Sequence, residues 1–248
     1  MIYTEKIIIS GNILEHYQYP RSMFKDYKVI KKKKPKQEPE QLQIDFSIKN
    51  ISKGKRNDNI ARTRTKIKRL VNSNQDFDKF VTLTFAENLQ DIKIANRHFN
   101  KFIMRLKYQY FDFKYISIIE FQKRGAVHYH FLSNLPHVKN SILSDIWGHG
   151  FVKINKITHV TNLGAYICKY LGKDGNNEKM FRKKKYFYSK NLEQPDKFFD
   201  YKAIQNLKDF YGLSSLKPTY KNTFNNKYTG DVEYRQFDLR NCDSLNKK

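Results

Sequence analysis

The chain has 248 residues, enough to bury a substantial core as one main domain with appendages. Its 48 Lys and Arg against 24 Asp and Glu leave a net charge of +24, which an AT-rich coding bias toward Lys and Asn does not by itself explain. Such a surface attracts polyanions by releasing their counterions, so nucleic acid is the first partner implied and an anionic membrane the second. Aromatic residues make up 15% of the chain, which favours nucleic acid, because single-strand binders stack bases on rings. Cys168 and Cys242 lack metal-ligand spacing, which excludes a zinc module and a disulfide scaffold. The apolar run after Met1 is too short for a signal peptide and no stretch reaches membrane-spanning length, so a reduced cytoplasm and no membrane are expected.

Residues 1–58 contain the run Lys31 to Lys34, Pro35 and Lys36 and little periodicity, and read as a basic, irregular extension. Asn59 to Val71 reads as a basic helix capped by Asp58 or Asn59, whose Arg62, Arg64, Lys66, Lys68 and Arg69 are either a solvated face or phosphate contacts. Phe80-Val-Thr-Leu-Thr-Phe85 is β-branched and aromatic, the pattern of a buried strand. From Asp91 to Lys107, Ile92, Ala95, Phe99, Phe102, Ile103 and Leu106 recur at helical spacing. Phe113 to Phe121 and Ala126 to Ser133 form two more strands joined by a tight turn at Gly125, and Asn140 to Trp147 is a short amphipathic helix. Gly150 to Ile154 is a fourth strand and Asn162 to Leu171 a helix, giving the order β-α-β-β-α-β-α. That order predicts an α+β fold, a ferredoxin-like or RNA-recognition-like core with a central antiparallel sheet covered by helices. It occupies residues 59–175, and residues 176–248 are a basic and aromatic extension with a basic loop at Phe181 to Tyr186, one helix from Lys197 to Tyr211 and an irregular tail from Thr219.

The chemistry concentrates in Glu120-Phe-Gln-Lys-Arg-Gly-Ala-Val-His-Tyr-His130. In a strand His128 and His130 share a face with Cα atoms ~6.5–7 Å apart, a spacing at which two imidazoles meet one divalent ion. A three-residue loop with Gly125 in the left-handed position sets Glu120 opposite His128, whereas a two-residue loop pairs it with Tyr129. Two imidazoles and a carboxylate leave coordination positions open for polarising a phosphoryl oxygen, with Mg²⁺ or Mn²⁺ as the ion. Histidines two apart also occur as half-buried pairs that bind nothing, and His137 and His149 are alternative ligands. In the helix, Tyr166 and Tyr170 are four apart on one face with Lys169 adjacent; such tyrosines either pack on the sheet or, helped by a cation or metal, attack phosphate.

Taken in order, Phe80 to Phe85, the Glu and His-x-His segment and the Tyr-x-x-Lys-Tyr helix resemble the three motifs of HUH endonucleases, specifically rolling-circle replication initiators, over about residues 78–174. Trp147-Gly-His-Gly-Phe-Val152 is similar to the replication-associated proteins of small single-stranded DNA phages and related Gram-positive elements, which implies a bacterial host cytoplasm. The resemblance implies that His128, His130 and Glu120 hold the metal, that Tyr166 is the nucleophile, that Lys169 stabilises charge and that Tyr170 is the second tyrosine of two-tyrosine members. It further implies nicking of single-stranded origin DNA, hairpin forms included, to give a 5′-phosphotyrosyl intermediate and a free 3′-hydroxyl, with strand transfer at termination. Tyr129 stands where the family has an aliphatic residue, and its ring is expected on the opposite sheet face. Lys123, Arg124 and Lys173 join the five basic residues of the leading helix as expected nucleic-acid contacts. No Gly-x-x-x-x-Gly-Lys-Ser/Thr run occurs, so a helicase from the host or element and a host polymerase are implied partners. The competing classes are a non-catalytic single-strand-binding module and another HUH enzyme, a transposase or a relaxase, the latter with Tyr3 as its tyrosine.

Overall fold

A computed structural model of the protein describes residues 1–25, 48–158, 162–173, 184–226 and 228–242, with side chains at 48–58, 172 and 173 outside the description. The Lys31 to Lys36 run and residues 181–183 of the expected basic loop therefore lie outside the described residues. The chain divides into two compact units, residues 1–59 with 195–248, and residues 60–194.

In the first unit β1 (Ile2–Ser10) and β2 (Ile13–Phe24) form a hairpin through Gly11 and Asn12. This corrects the reading of the N-terminal segment as irregular. The long helix α1 (Ile48–Ser73) starts in this unit and crosses into the second, running through Asp58 and Asn59, so neither caps it.

The second unit is built on β3 (Lys79–Thr84), α2 (Ile92–Gln109), β4 (Tyr115–Phe121), β5 (Val127–Ser133), α3 (Asn140–Trp147), β6 (Val152–Lys156), α4 (Leu163–Cys168), α5 (Tyr170–Lys173) and β7 (Tyr186–Tyr188). Its strands lie in the order β6-β3-β5-β4-β7 and every pair is antiparallel. The first four thus stand fourth, first, third, second across the sheet, the ferredoxin-like arrangement expected.

Alternation along the strands sends two sets of side chains to opposite faces. Val81, Leu83, Tyr129 and Phe131 pack against α2 and α3. The six apolar residues expected to face the core from α2 are all buried, and Asp91 starts the helix by accepting hydrogen bonds from the amides of Lys93 and Ile94 at 2.6 and 3.2 Å. On the other face Phe80, Ile116, Ile118 and Leu132 pack against Ile67, Leu70 and Val71 of α1 and Ile167 and Cys168 of α4. A Cβ on Gly164 would lie 2.9 Å from Lys68 Cα, so the absence of a side chain there lets α4 rest directly on the α1 backbone.

In the remainder of the first unit, β8 (Asp196–Phe198), α6 (Tyr201–Phe210), β9 (Tyr220–Asn226) and β10 (Gly230–Asp238) complete a second antiparallel sheet in the order β8-β1-β2-β10-β9. The expected helix from Lys197 is therefore two elements: residues 196–198 pair with the free edge of β1, and the Asp200 carboxylate then caps α6 through the Ala203 amide at 3.0 Å. Ile204, rather than the expected Phe199 and Phe210, is the residue of α6 buried in the core, and Phe210 is exposed. The tail from Thr219 is likewise strand, not irregular: β9 is exposed throughout and is held by its ladder to β10.

Candidate functional site

The hairpin between β4 and β5 decides the register. Gln122 and Ala126 pair across a loop of Lys123, Arg124 and Gly125, with Gly125 at a φ of 89° that side-chain-bearing residues rarely adopt. Glu120 therefore stands directly opposite His128, and His130 opposite Thr82 on the neighbouring strand β3. All four side chains belong to the face that α1, α4 and α5 cover. Tyr129 turns the other way, fully buried, with its ring stacked on Phe99 at 4.3 Å and its hydroxyl donating to Asn96 Oδ1 at 2.8 Å.

Glu120 bonds the farther imidazole. Its Oε2 lies 2.7 Å from His130 Nε2, and Thr82 Oγ1 lies 3.1 Å from His130 Nδ1, so both ring nitrogens of His130 are engaged. The His128 ring is 5.7 Å from that of His130, and its buried Nε2 has no hydrogen-bond partner. Burial, reinforced by His130 and only partly offset by Glu120, drives the His128 imidazole down to about 4, so it is neutral at physiological pH. As the side chains lie, no three His, Cys, Asp or Glu residues among the described ones are arranged to hold a metal ion.

The tyrosines sit over this floor. Tyr170 stacks on His130 with ring centres 4.1 Å apart, and both Tyr166 and Tyr170 pack on Phe80, at 5.0 and 5.5 Å. Their own rings are 6.3 Å apart. Burial, together with Tyr166 and Glu120, pushes the Tyr170 phenol up to about 12. Lys169 falls between α4 and α5, where the expected single helix is interrupted, and its ammonium lies 5.4 Å from the Tyr166 ring centre. Phe80 as a shared seat and Thr82 as a partner of His130 are functional positions that spacing along the chain does not reveal, because both depend on the pairing of β3 with β5.

The expected nucleic-acid contacts divide. Arg62, Arg64, Lys66 and Lys68 are exposed on α1 and Arg69 is half-buried. Lys123 is exposed in the hairpin loop, whereas the Arg124 guanidinium donates to the Phe85 carbonyl at 2.7 Å and to Gln122 Oε1 at 2.8 Å, which ties the loop to the end of β3. The side chain of Lys173 lies outside the described residues. His149 packs on His98, Phe85 and Trp147 in the layer of α2 and α3, His137 is exposed after β5, and Tyr3 packs on Tyr19 and Phe199 in the first unit, so none of them joins the cluster.

Residues 78–175 match the family model for the replication-associated protein ORF2 group. The matched span runs from the start of β3 through α5 and so contains Glu120, His128, His130, Tyr166 and Tyr170. This similarity is consistent with a rolling-circle replication initiator and with DNA as the partner during replication. Comparison with curated proteins and with solved structures finds no match. No helix among the described residues is long and apolar enough to cross a membrane.

Proposed function

We propose that the second unit nicks single-stranded DNA at a replication origin, using a tyrosine as nucleophile. The observation that supports this most directly is the seating of both tyrosines over the Glu120, His128 and His130 face, with Tyr170 stacked on His130. In this reading the Tyr166 hydroxyl loses its proton to water and attacks the scissile phosphorus. The bond from Tyr166 oxygen to phosphorus forms as the bond from phosphorus to the 3′ oxygen breaks, leaving a 5′-phosphotyrosyl strand and a 3′ oxygen that takes a proton from solvent. Lys169, beside the Tyr166 ring, balances the charge that builds on the phosphate. Tyr170 holds its proton more firmly, which suits it to the second cleavage, at termination, when a new 3′-hydroxyl displaces the first tyrosine and joins the strands.

The donor set fits a divalent ion: a neutral imidazole whose buried nitrogen is unpartnered, a second imidazole braced by a threonine hydroxyl, and a carboxylate within reach of it. His128, His130 and Glu120 would hold Mg²⁺ or Mn²⁺, which supplies Lewis-acid polarisation of a phosphoryl oxygen when bound. The helicase and polymerase that such a nick serves come from elsewhere, since the sequence carries no phosphate-cradling Gly-Lys-Ser/Thr loop.

The test is a denaturation-resistant adduct on single-stranded origin DNA with Mg²⁺ or Mn²⁺. Tyr166→Phe should abolish the first adduct, while Tyr170→Phe should still nick once but fail in strand transfer. A first adduct lost only in Tyr170→Phe reverses the two roles, and an adduct in the double variant removes the tyrosine mechanism. Undiminished cleavage in EDTA removes the metal.

A further inference from the structure

β7 brings a second pair of tyrosines to the same sheet face. Tyr186 pairs with Ile118 and Tyr188 with Ile116, the residues of β4 that point toward α1 and α4. Ile118 is also the partner of His130, so Tyr186 lies in one cross-strand row with that histidine, two strand spacings or roughly 10 Å away. The two rings are stacked, 5.9 Å apart and 12° from parallel, and both remain half-buried rather than closed into the core.

Cations surround this pair. Lys66 of α1 donates to the Tyr188 hydroxyl at 3.2 Å and lies 5.0 Å from the centre of that ring, and the Lys184 ammonium lies 5.9 and 5.7 Å from the centres of Tyr186 and Tyr188. No acidic residue occurs in α1 from Ile60 to Ser73 or in residues 184–191, so nothing in either segment offsets these charges. Lys66 and Lys184 are both exposed. Parallel aromatic rings edged by cations, on the face that carries the histidines, match the chemistry of a single strand: bases stack on rings while phosphates meet ammonium groups. Fastening β7 to α1 accounts for the bond from Lys66 but not for a second lysine with no acidic counterpart.

We propose that Tyr186 and Tyr188, with Lys66 and Lys184, form a stacking subsite for the single-stranded DNA that flanks the scissile phosphate. The identity of the strand rests on the nicking reading, whereas the subsite is measurable without cleavage. In the full-length Tyr166→Phe/Tyr170→Phe protein, Tyr186→Leu and Tyr188→Leu should each weaken binding of a 2-aminopurine oligonucleotide by about fivefold to a hundredfold and relieve quenching of the probe. Tyr186→Trp and Tyr188→Trp should restore both. Ultraviolet crosslinking of the wild-type chain to oligonucleotides carrying 5-iodouracil at successive positions should label Tyr186 or Tyr188, a readout that requires no variant to fold. The proposal is overturned if neither tyrosine is labelled at any position, or if the Leu variants lose thermal stability or nothing at all while affinity and quenching stay unchanged. Weakened binding and labelling in a protein that does not nick would uphold the subsite and remove the nickase; nicking with unaltered affinity would do the reverse.

Discussion

Each unit contains a glutamate bonded to a histidine on its sheet, and the two pairs are finished differently. In the first unit Glu5 Oε2 meets His16 Nε2 at 3.0 Å and also takes the Lys208 ammonium from α6, so the carboxylate has two cationic partners. Burial opposes the charge on Glu5, but Lys208 and His16 outweigh it and hold the carboxyl below its ordinary value. In the second unit Glu120 meets His130 at 2.7 Å, and the neighbouring His128 keeps a buried nitrogen with no partner. A buried polar group that the fold leaves unsatisfied costs stability and persists where something else uses it. The comparison teaches that a Glu and His pair is not a site in itself; unfinished hydrogen bonding beside it is what marks one.

The sharpest way to break this contrast is to remove the same charge from both pairs. Glu120→Gln should lower nicking by a hundredfold or more, about 3 kcal/mol of transition-state stabilisation, with a melting temperature close to that of the parent. Glu5→Gln should leave nicking alone and lower stability by roughly 1–3 kcal/mol, because Lys208 loses its counter-charge in a partly buried setting. Adduct yield and melting curves on both variants check this, and equal effects on the two readouts would erase the distinction.

Acid should act next. The folded protein holds His128 at about 4, below the ~6.5 of an unfolded histidine. Between those values the unfolded chain binds more protons, so stability rises with pH there; the contribution is complete above ~6.5 and is lost as pH falls toward 4. A loss on the order of 1–3 kcal/mol between pH 7 and 4.5 is expected, and His16, also lowered by burial, adds to it in the same direction. His128→Asn should flatten the slope of melting temperature against pH, and a slope unchanged by that substitution would refute the assignment.

The smallest effect belongs to the polar face of the first sheet, where the hydroxyls of Tyr17 and Tyr234 both donate to Glu15 Oε1, at 3.1 and 3.0 Å. Tyr234→Phe leaves the other donor in place, so denaturant unfolding should register about 1 kcal/mol or less. A much larger loss would show that this face, too, depends on a single contact.

The same contrast governs how much of the molecule can be read from the chain. The second unit is legible because its sheet is covered on both faces: Phe80 to Phe85 is a buried strand, and Ile92 to Leu106 marks one stripe of a helix. The first unit is less so, since β9 is exposed along its whole length and its pairing depends on backbone hydrogen bonds that no side-chain pattern records. Gly11-Asn12 between β1 and β2 is the local signal that was available there, a two-residue hairpin loop. Within the site, Glu120, His128, His130 and the two helix tyrosines are visible as spacings. Thr82, Phe80 and the Tyr186 and Tyr188 pair emerge only once β3 and β7 take their places beside β5 and β4.

Gly164 has a mechanical consequence. Most helix contacts pass through side chains, which change rotamer and so absorb small displacements. Between α4 and α1 that cushion is missing at Gly164, where the backbone of one helix bears on the backbone of the other at Lys68. A load on the basic helix, such as a phosphate drawn toward Lys66 or Lys68, therefore reaches Tyr166 two residues along without a soft element in between. The helix that carries the charge and the helix that carries the nucleophile behave as one lever, and the strand that grips the first sets the aim of the second.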